Sequence, residues 1–544
     1  MQQGIHVLDR PPGRLRAPSA VGWMVLALVV AAAVVATASL IAVSRSSPPA
    51  VRAAVRGREP ATPATVLTGS PVVASADEAR ALLTVAPSAV VTGTSSYADI
   101  VRAAGLARRA HAPLLLMPAA STGTTAAQLA AQVAVLRGAI RALHSTAVLA
   151  VGVSRSALTA DLPGVRLVTA ASELPATTAA APMQSVEVLV YTGPSPAASA
   201  APAAPAAPAA SATSALAIAA ATTAETAGAR VIDLPGYDPR ADPAVIRALA
   251  AARPQHVMAI GAGFGSASLL AARVAVAETG VQLPGGGQVL FPGRRIVALY
   301  GTPGTPALGA LGQQGLTASL ARAKAVAGQY TALSNVPVIP SFEIIATVAQ
   351  ASAGRSGMYS YESSVASLRP WVQAATRAGL YVTLDLQPGR ASLLAQAKKY
   401  RSLLMLPNVG LALDPEWALQ PGQLPLHQIG SVSVSEVNSV VSWLARLTAQ
   451  YHLPQKLLEL HEFRLTMIQN IQRLDTHQDD LAIVINMDGQ GAPSVKQQTW
   501  QAVVANAPKG VFFGWKDFYV KDKPMLGPRQ TVRHHPGPVL ISYQ

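Results

Sequence analysis

From residue 295 to the C-terminus, eight short apolar segments recur with helical patterns between most of them. No other feature restricts the possible fold as strongly. The segments are RIVALYG (295–301), VPVIPSFE (336–343), LYVTLDLQ (380–387), VGLALDPEW (409–417), KLLELHEF (456–463), LAIVINMDG (481–489), GVFFGWKDF (510–518) and PVLISYQ (538–544). SSVASLRPWVQAATRAG (363–379) and VSEVNSVVSWLARLTAQY (434–451) have the period of the intervening helices. Short strands alternating with helices read as parallel sheet. Eight such units in about 250 residues read as a (β/α)8 barrel over 291–544, with the final helix missing.

Acidic residues gather at the C-terminal ends of these strands, where barrel chemistry sits. They are Glu343, Asp385, Asp414, Glu416, Glu462, Asp488 and Asp517. An acid there can instead cap the next helix, which suits Asp517 or Glu462. It does not suit Asp414 and Glu416, because PGQLPLHQIG separates them from the next helix. Alternate strand residues face one side. Thr383, Asp385 and Gln387 therefore share a phase, as do Ala412, Asp414 and Glu416, and Asn486 and Asp488. Pointed into a barrel mouth, these carboxyls form a costly cluster in which some stay protonated near neutral pH.

Two inward carboxyls are the minimum for glycoside hydrolysis. The sequence makes Glu416, Asp414, Asp385 and Asp488 the candidate catalytic residues. Asp414 is expected to raise the pKa of Glu416 by like-charge repulsion, with Asp385 or Asp488 on flanking strands as the second carboxylate. The candidate substrate-binding residues are Tyr300, Glu343, Gln387, Trp417, His461, Glu462, Asn486, Trp515, Lys516 and Tyr543. Trp417, Trp515, Tyr300 and Tyr543 are placed where flat sugar faces would stack. The D-x-E ending LALDPEW resembles that of barrel glycosidases of the chitinase-like and lysozyme-like families, without the longer D-x-x-D-x-D-x-E. LDLQPG, LALDPEW, INMDGQG and GWKDFY together resemble an uncharacterised group of exported actinobacterial proteins, which implies fold and compartment but no reaction.

Other chemistries find less support. His461-Glu462 lacks the second histidine of H-E-x-x-H, since residue 465 is Leu465. The alternatives for His461 are a pocket hydrogen-bonding group or a metal ligand with Asp385 and Asp488; no metal or cofactor is expected. HHPGP (534–538) reads as a solvated loop. With no cysteine, thiol nucleophiles, disulfides and cysteine zinc sites are excluded.

Upstream, a strand–helix pattern occurs twice. AVVTGTS (89–95), APLLLMP (112–118) and AVLAVGVS (147–154) form one copy, and EVLVYTGPS (187–195), ARVIDLPG (229–236) and HVMAIGAGFGS (256–266) the other. Both read as Rossmann-like parallel α/β units. Through Thr92-Gly93, Ala112-Pro113, Gly152, Thr192-Gly193 and Gly261, residues 68–290 resemble the cell wall-binding repeat type 2 family. That resemblance implies non-catalytic binding of anionic wall polymers. AASAAPAAPAAPAASA (197–212) reads as a disordered insert. SALAIAAATTAETAGA (214–229) reads as a helix packed on a sheet. GAGFGS lacks the acidic partner of a dinucleotide loop.

VGWMVLALVVAAAVVATASLIAV (21–43) carries no charge and, at about 1.5 Å per residue, is long enough for a hydrocarbon core of about 30 Å. It is expected to anchor the chain once in the cell membrane, with 1–20 as a cytoplasmic tail, 44–67 as a Pro-, Arg- and Ser-rich linker, and the bulk outside. The net charge of +15 is spread without a dense basic run. It therefore suits an anionic envelope polysaccharide, and nucleic acid is not an expected partner.

Overall fold

The computed structural model describes residues 53–118, 124–154, 164–193 and 208–544, with Leu158 and Leu162. The predicted membrane segment 21–43, the tail 1–20 and most of the linker lie outside the described residues. Among the described residues no helix is long and apolar enough to cross a membrane. Residues 54–544 form one compact unit, which holds both the α/β repeats and the barrel strands.

Eight of the described strands build the main sheets in the first half of unit 54–544: β1 (Ala64–Leu67), β2 (Ser88–Gly93), β3 (Leu114–Met117), β4 (Ala147–Val151), β5 (Arg166–Val168), β6 (Met183–Tyr191), β7 (Ala229–Leu234) and β8 (His256–Ile260). They form two parallel four-stranded sheets, ordered β3-β2-β4-β5 and β7-β6-β8-β1. In both, the first strand of the repeat is central, the second lies on one side and the third on the other. The sequence repeat is thus a repeat of topology. The edge strands β5 and β1 were not in the sequence pattern. Both are short, and β1 falls inside the predicted linker. The Ala/Pro insert is described only from Pro208, where the helix Pro208–Ala227 begins. Local signals start other helices: Thr125 and Gln128 form a capping box, and Asp242 accepts from Ala244 and Val245 N–H with Pro243 at the first position. Ala219, Ala220 and Ala224 of the helix from Pro208 are fully buried in a core shared with β2, β3 and β6. Small side chains let that helix lie close against strands.

The second half is a closed barrel of eight parallel strands: β9 (Arg295–Gly301), β10 (Val338–Ala349), β11 (Tyr381–Leu386), β12 (Val409–Leu413), β13 (Lys456–His461), β14 (Leu481–Met487), β15 (Phe512–Asp517) and β16 (Leu540–Tyr543). Each pairs with the next, and β9 pairs with both β10 and β16. Alternation sorts their side chains. Leu299, Phe342, Leu384, Leu411, Leu458 and Ile485 point out and bury against the helices. Ile296, Ile339, Tyr381, Leu457, Val484 and Leu540 point in at the N-terminal end, where Leu283, Leu290 and Phe291 pack with them. The connecting segment LPGGGQVLFPG (283–293) therefore plugs the barrel floor. Beside it, Arg240 and Arg273 of the α/β half hold Asp479 of the barrel at 2.8 and 2.6 Å, with Asp238 also paired to Arg240 at 2.7 Å.

Candidate functional site

At the opposite, C-terminal end, the inward positions turn polar. Tyr300 of β9, Glu343 of β10, Asp385 of β11, Asp414 after β12, His461 of β13, Asp488 after β14 and Lys516 of β15 all lie there, each at most 6% exposed. A layer below, Asn486 donates to Glu459 Oε1 at 2.6 Å. Gly514 leaves the space Asn486 needs, because a Cβ there would come within 2.9 Å of Asn486 Oδ1.

Hydrogen bonds order the layer. Tyr300 donates its hydroxyl proton to Asp385 Oδ2 (2.9 Å) and accepts from Gln387 Nε2 (3.2 Å). Gln387 in turn accepts from the Ala349 N–H through Oε1 at 3.0 Å. The Lys516 ammonium lies 3.3 Å from the Tyr300 ring centroid, a cation–π contact. His461 is held between acids: Nδ1 is 2.8 Å from Asp488 Oδ2, and Nε2 is 3.0 Å from Glu343 Oε1.

Burial and these neighbours split the acids into two kinds. Burial alone would raise the Asp488 pKa, but the charges of His461 and Lys516 and the His461 hydrogen bond take it below the ordinary value. Burial first, then the Asp488 charge, raise Glu416 to about 7, against the opposing pull of Lys516 and His461. Burial carries Asp385 to about 6 and Glu459 to about 8, in each case with Glu343 adding to it. Asp414 is raised well above the usual range, by burial and then by Glu416. This corrects one expectation. The repulsion between Asp414 and Glu416 raises Asp414, and the charge that raises Glu416 most is Asp488. Nor does Asp488 flank β12: β13 lies between β12 and β14, and His461 bridges the interval.

LALDPEW follows the strand pattern only as far as Leu413. Pro415–Trp417 form a 3-10 turn that lifts Glu416 and Trp417 to half-buried positions at the mouth. The turn is pinned from above, where Gly430 N–H donates to Glu416 O at 2.6 Å. The Trp417 indole N–H is buried without a partner.

Two aromatic expectations are corrected. Because Lys516 points in, Trp515 and Asp517 point out. Trp515 packs between Trp500 and His534 and donates to Asp517 Oδ1 at 2.7 Å. Likewise Ser542 points in, so Tyr543 points out and shares a hydrogen bond with the Tyr330 hydroxyl at 2.6 Å. Neither reaches the mouth. His534, read as part of a solvated loop, is 7% exposed against those tryptophans. Glu462 is buried one position past His461, and burial followed by Asp488 raises it to about 8. Sequence reasoning missed Glu459. The signal was present: Glu459 is two residues before His461 in KLLELH and shares its phase, but attention to strand ends passed over it.

Two sets of residues bring ligand atoms within 4.8 Å of one another, Glu343/Glu459/His461 and Asp414/His461/Asp488. Either could hold a divalent cation through a neutral imidazole. Burial and Lys516 act to lower the His461 pKa, but Asp488 and Glu343 prevail and raise it well above the usual value. A metal there would therefore have to displace a proton from His461. No family model matches this chain, and no curated protein or solved structure matches it either.

Proposed function

We propose that the barrel hydrolyses glycosidic bonds in a polysaccharide of the cell envelope, and that the chain is anchored once in the membrane with its α/β half holding it to the wall. The observation that carries the hydrolase reading is the divergence of two neighbouring carboxyls, Glu416 raised to about 7 and Asp488 lowered. Such divergence in a pair assigns an acid and a base. Glu416 gives its proton to the departing glycosidic oxygen. Asp488, kept ionised by His461 and Lys516, either attacks the anomeric carbon or takes a proton from the attacking water. Asp385 and Tyr300 hold Lys516 and the mouth in place, and Trp417 offers a face to a sugar ring. The wall attachment rests on the repeated α/β topology and the sequence resemblance, and the anchor rests on residues 21–43.

The test is reducing-sugar release by the full chain from bacterial wall polysaccharides. Release should fall by about a hundredfold or more in Glu416→Gln, the usual scale for loss of a general acid. If the parent binds the polymer but releases nothing, the second reading stands, a non-catalytic glycan-binding barrel. The wall-binding resemblance and the lack of a complete D-x-x-D-x-D-x-E signature favour that alternative.

A further inference from the structure

We infer that the sugar taken at the barrel mouth carries a free amino group. The inference rests on the glycosidase reading and names its substrate class: a glycan with unacetylated, cationic hexosamine units.

The balance of charge at the mouth is unequal. Around it stand the carboxyls of Glu343, Asp385, Asp414, Glu416 and Asp488, with Glu459 beneath them. Two cations, His461 and Lys516, stand among these six, and the raised Asp414, Glu416 and Glu459 relieve part of the excess by holding protons. The cations are already engaged, His461 by Asp488 and Glu343, and Lys516 over the Tyr300 ring. What remains is a surplus of acceptor oxygens. Asp385 Oδ1, Asp414 Oδ1 and Asp488 Oδ1 are buried without a hydrogen-bond partner, and their residues are 0%, 1% and 6% exposed. Buried acceptors left without donors are costly, and a native chain rarely keeps several together without use.

A ligand fitting this mouth therefore brings donors and positive charge. An ammonium offers three N–H donors and no acceptor. It also takes the place of a proton that one of these carboxyls now carries. A uronate or a phosphate adds a negative charge to the surplus and is disfavoured. An N-acetylated sugar keeps one amide donor but brings a carbonyl acceptor and no charge. The anionic polymer expected from the net charge of +15 thus belongs to the rest of the surface, while the mouth has the opposite sign.

The experiment uses the full chain with glucosamine oligosaccharides, their N-acetylated counterparts of equal length, and oligosaccharides containing uronate. Binding is followed by calorimetry and cleavage by product release. The free-amine form should bind on the order of tenfold more tightly than the acetylated form, since charge-assisted hydrogen bonds are about twice as strong as neutral ones. Asp414→Asn should weaken binding of the free-amine form more than that of the acetylated form and so erase the preference. Should Asp414→Asn fail to fold, the preference of the parent protein decides alone. Equal affinity for both forms, or preference for the uronate, overturns the inference. If the amine form binds preferentially and is never cut, hydrolysis is wrong and the inference stands. If the acetylated form is cut and the amine form is not, hydrolysis stands and the inference falls. Calcium, manganese and zinc salts are run alone. An ion that binds the parent but not Asp414→Asn, and that blocks the amine, assigns these oxygens to a metal and also overturns it.

Discussion

Glu416 and Asp488 make opposite demands on pH. Glu416 acts only while protonated, so hydrolysis should fall as pH rises through about 7. Asp488 acts only while ionised, so hydrolysis should also fall on the acid side, below the ordinary carboxylate range. A rate profile flat from pH 6 to 9 would contradict the role of Glu416, and a rate already lost on the acid side well above the ordinary carboxylate range would contradict that of Asp488. Glu459 makes a separate demand, on stability. Its folded pKa of about 8 exceeds the ordinary glutamate value of 4.5, so the native state holds a proton that the unfolded chain gives up. Its contribution is therefore complete below about 4.5 and is lost as pH rises through about 8. Glu459→Gln keeps an oxygen for Asn486 and removes this titration. Melting curves should show the variant gaining on the parent as pH rises across that window, at up to about 1.4 kcal/mol per pH unit. A parallel pair of curves would place Glu459 in a more solvated setting than the barrel interior. Residues in strands were the legible ones. Period two put Asp385, Asn486 and Asp488 inward from sequence alone, and the same rule, had it been applied to GWKDF and LISY, would have turned Trp515 and Tyr543 outward. What sequence could not supply was the sign of each pKa shift, which depends on His461 reaching across from β13 to acids on β10 and β14.

Among the elements, the 3-10 turn Pro415–Trp417 decides where Glu416 stands. The proline directly after Asp414 ends the ladder of β12, since it has no N–H to continue pairing. The turn is then fixed by Gly430, where a Cβ would meet Ala418 O at 2.4 Å and Pro415 O at 2.5 Å. Gly430→Ala must push this backbone aside. It should lower kcat by about tenfold to a hundredfold, the scale of a misplacement near 1 Å, and shift the melting temperature little, because the barrel strands are untouched. A variant with unchanged kcat would show that the turn is not what positions the acid. All eight barrel strands were legible because each is an apolar run bounded by turn residues. The excursion of Glu416 from the strand phase was not, because it depends on a glycine fourteen residues downstream in a loop without periodicity.

For the molecule as a whole, the barrel floor joins the two halves of unit 54–544. Phe291 and Leu290 close the floor from within the connecting segment, and Arg240, buried at 2% exposure, shares Asp479 with Arg273. Asp479→Ala leaves both guanidiniums short of a carboxylate. It should cost about 2–3 kcal/mol, the scale of hydrogen bonds to charged groups, and separate one unfolding transition into two in calorimetry. A single unshifted transition would mean that the joint adds nothing. This joint was illegible in the sequence because its partners lie more than two hundred residues apart and neither motif marks the other.

The hydrolase stands or falls on one fold holding two neighbouring carboxyls in opposite states at neutral pH. The most direct measurement is a carboxyl-carbon NMR titration of the full chain, with signals assigned by their loss in Glu416→Gln and Asp488→Asn. Glu416 should titrate near 7 and Asp488 below the ordinary aspartate value. Two carboxyls titrating together in the ordinary range would leave both ionised at neutral pH, with no acid to protonate the leaving oxygen, and the hydrolase would fall.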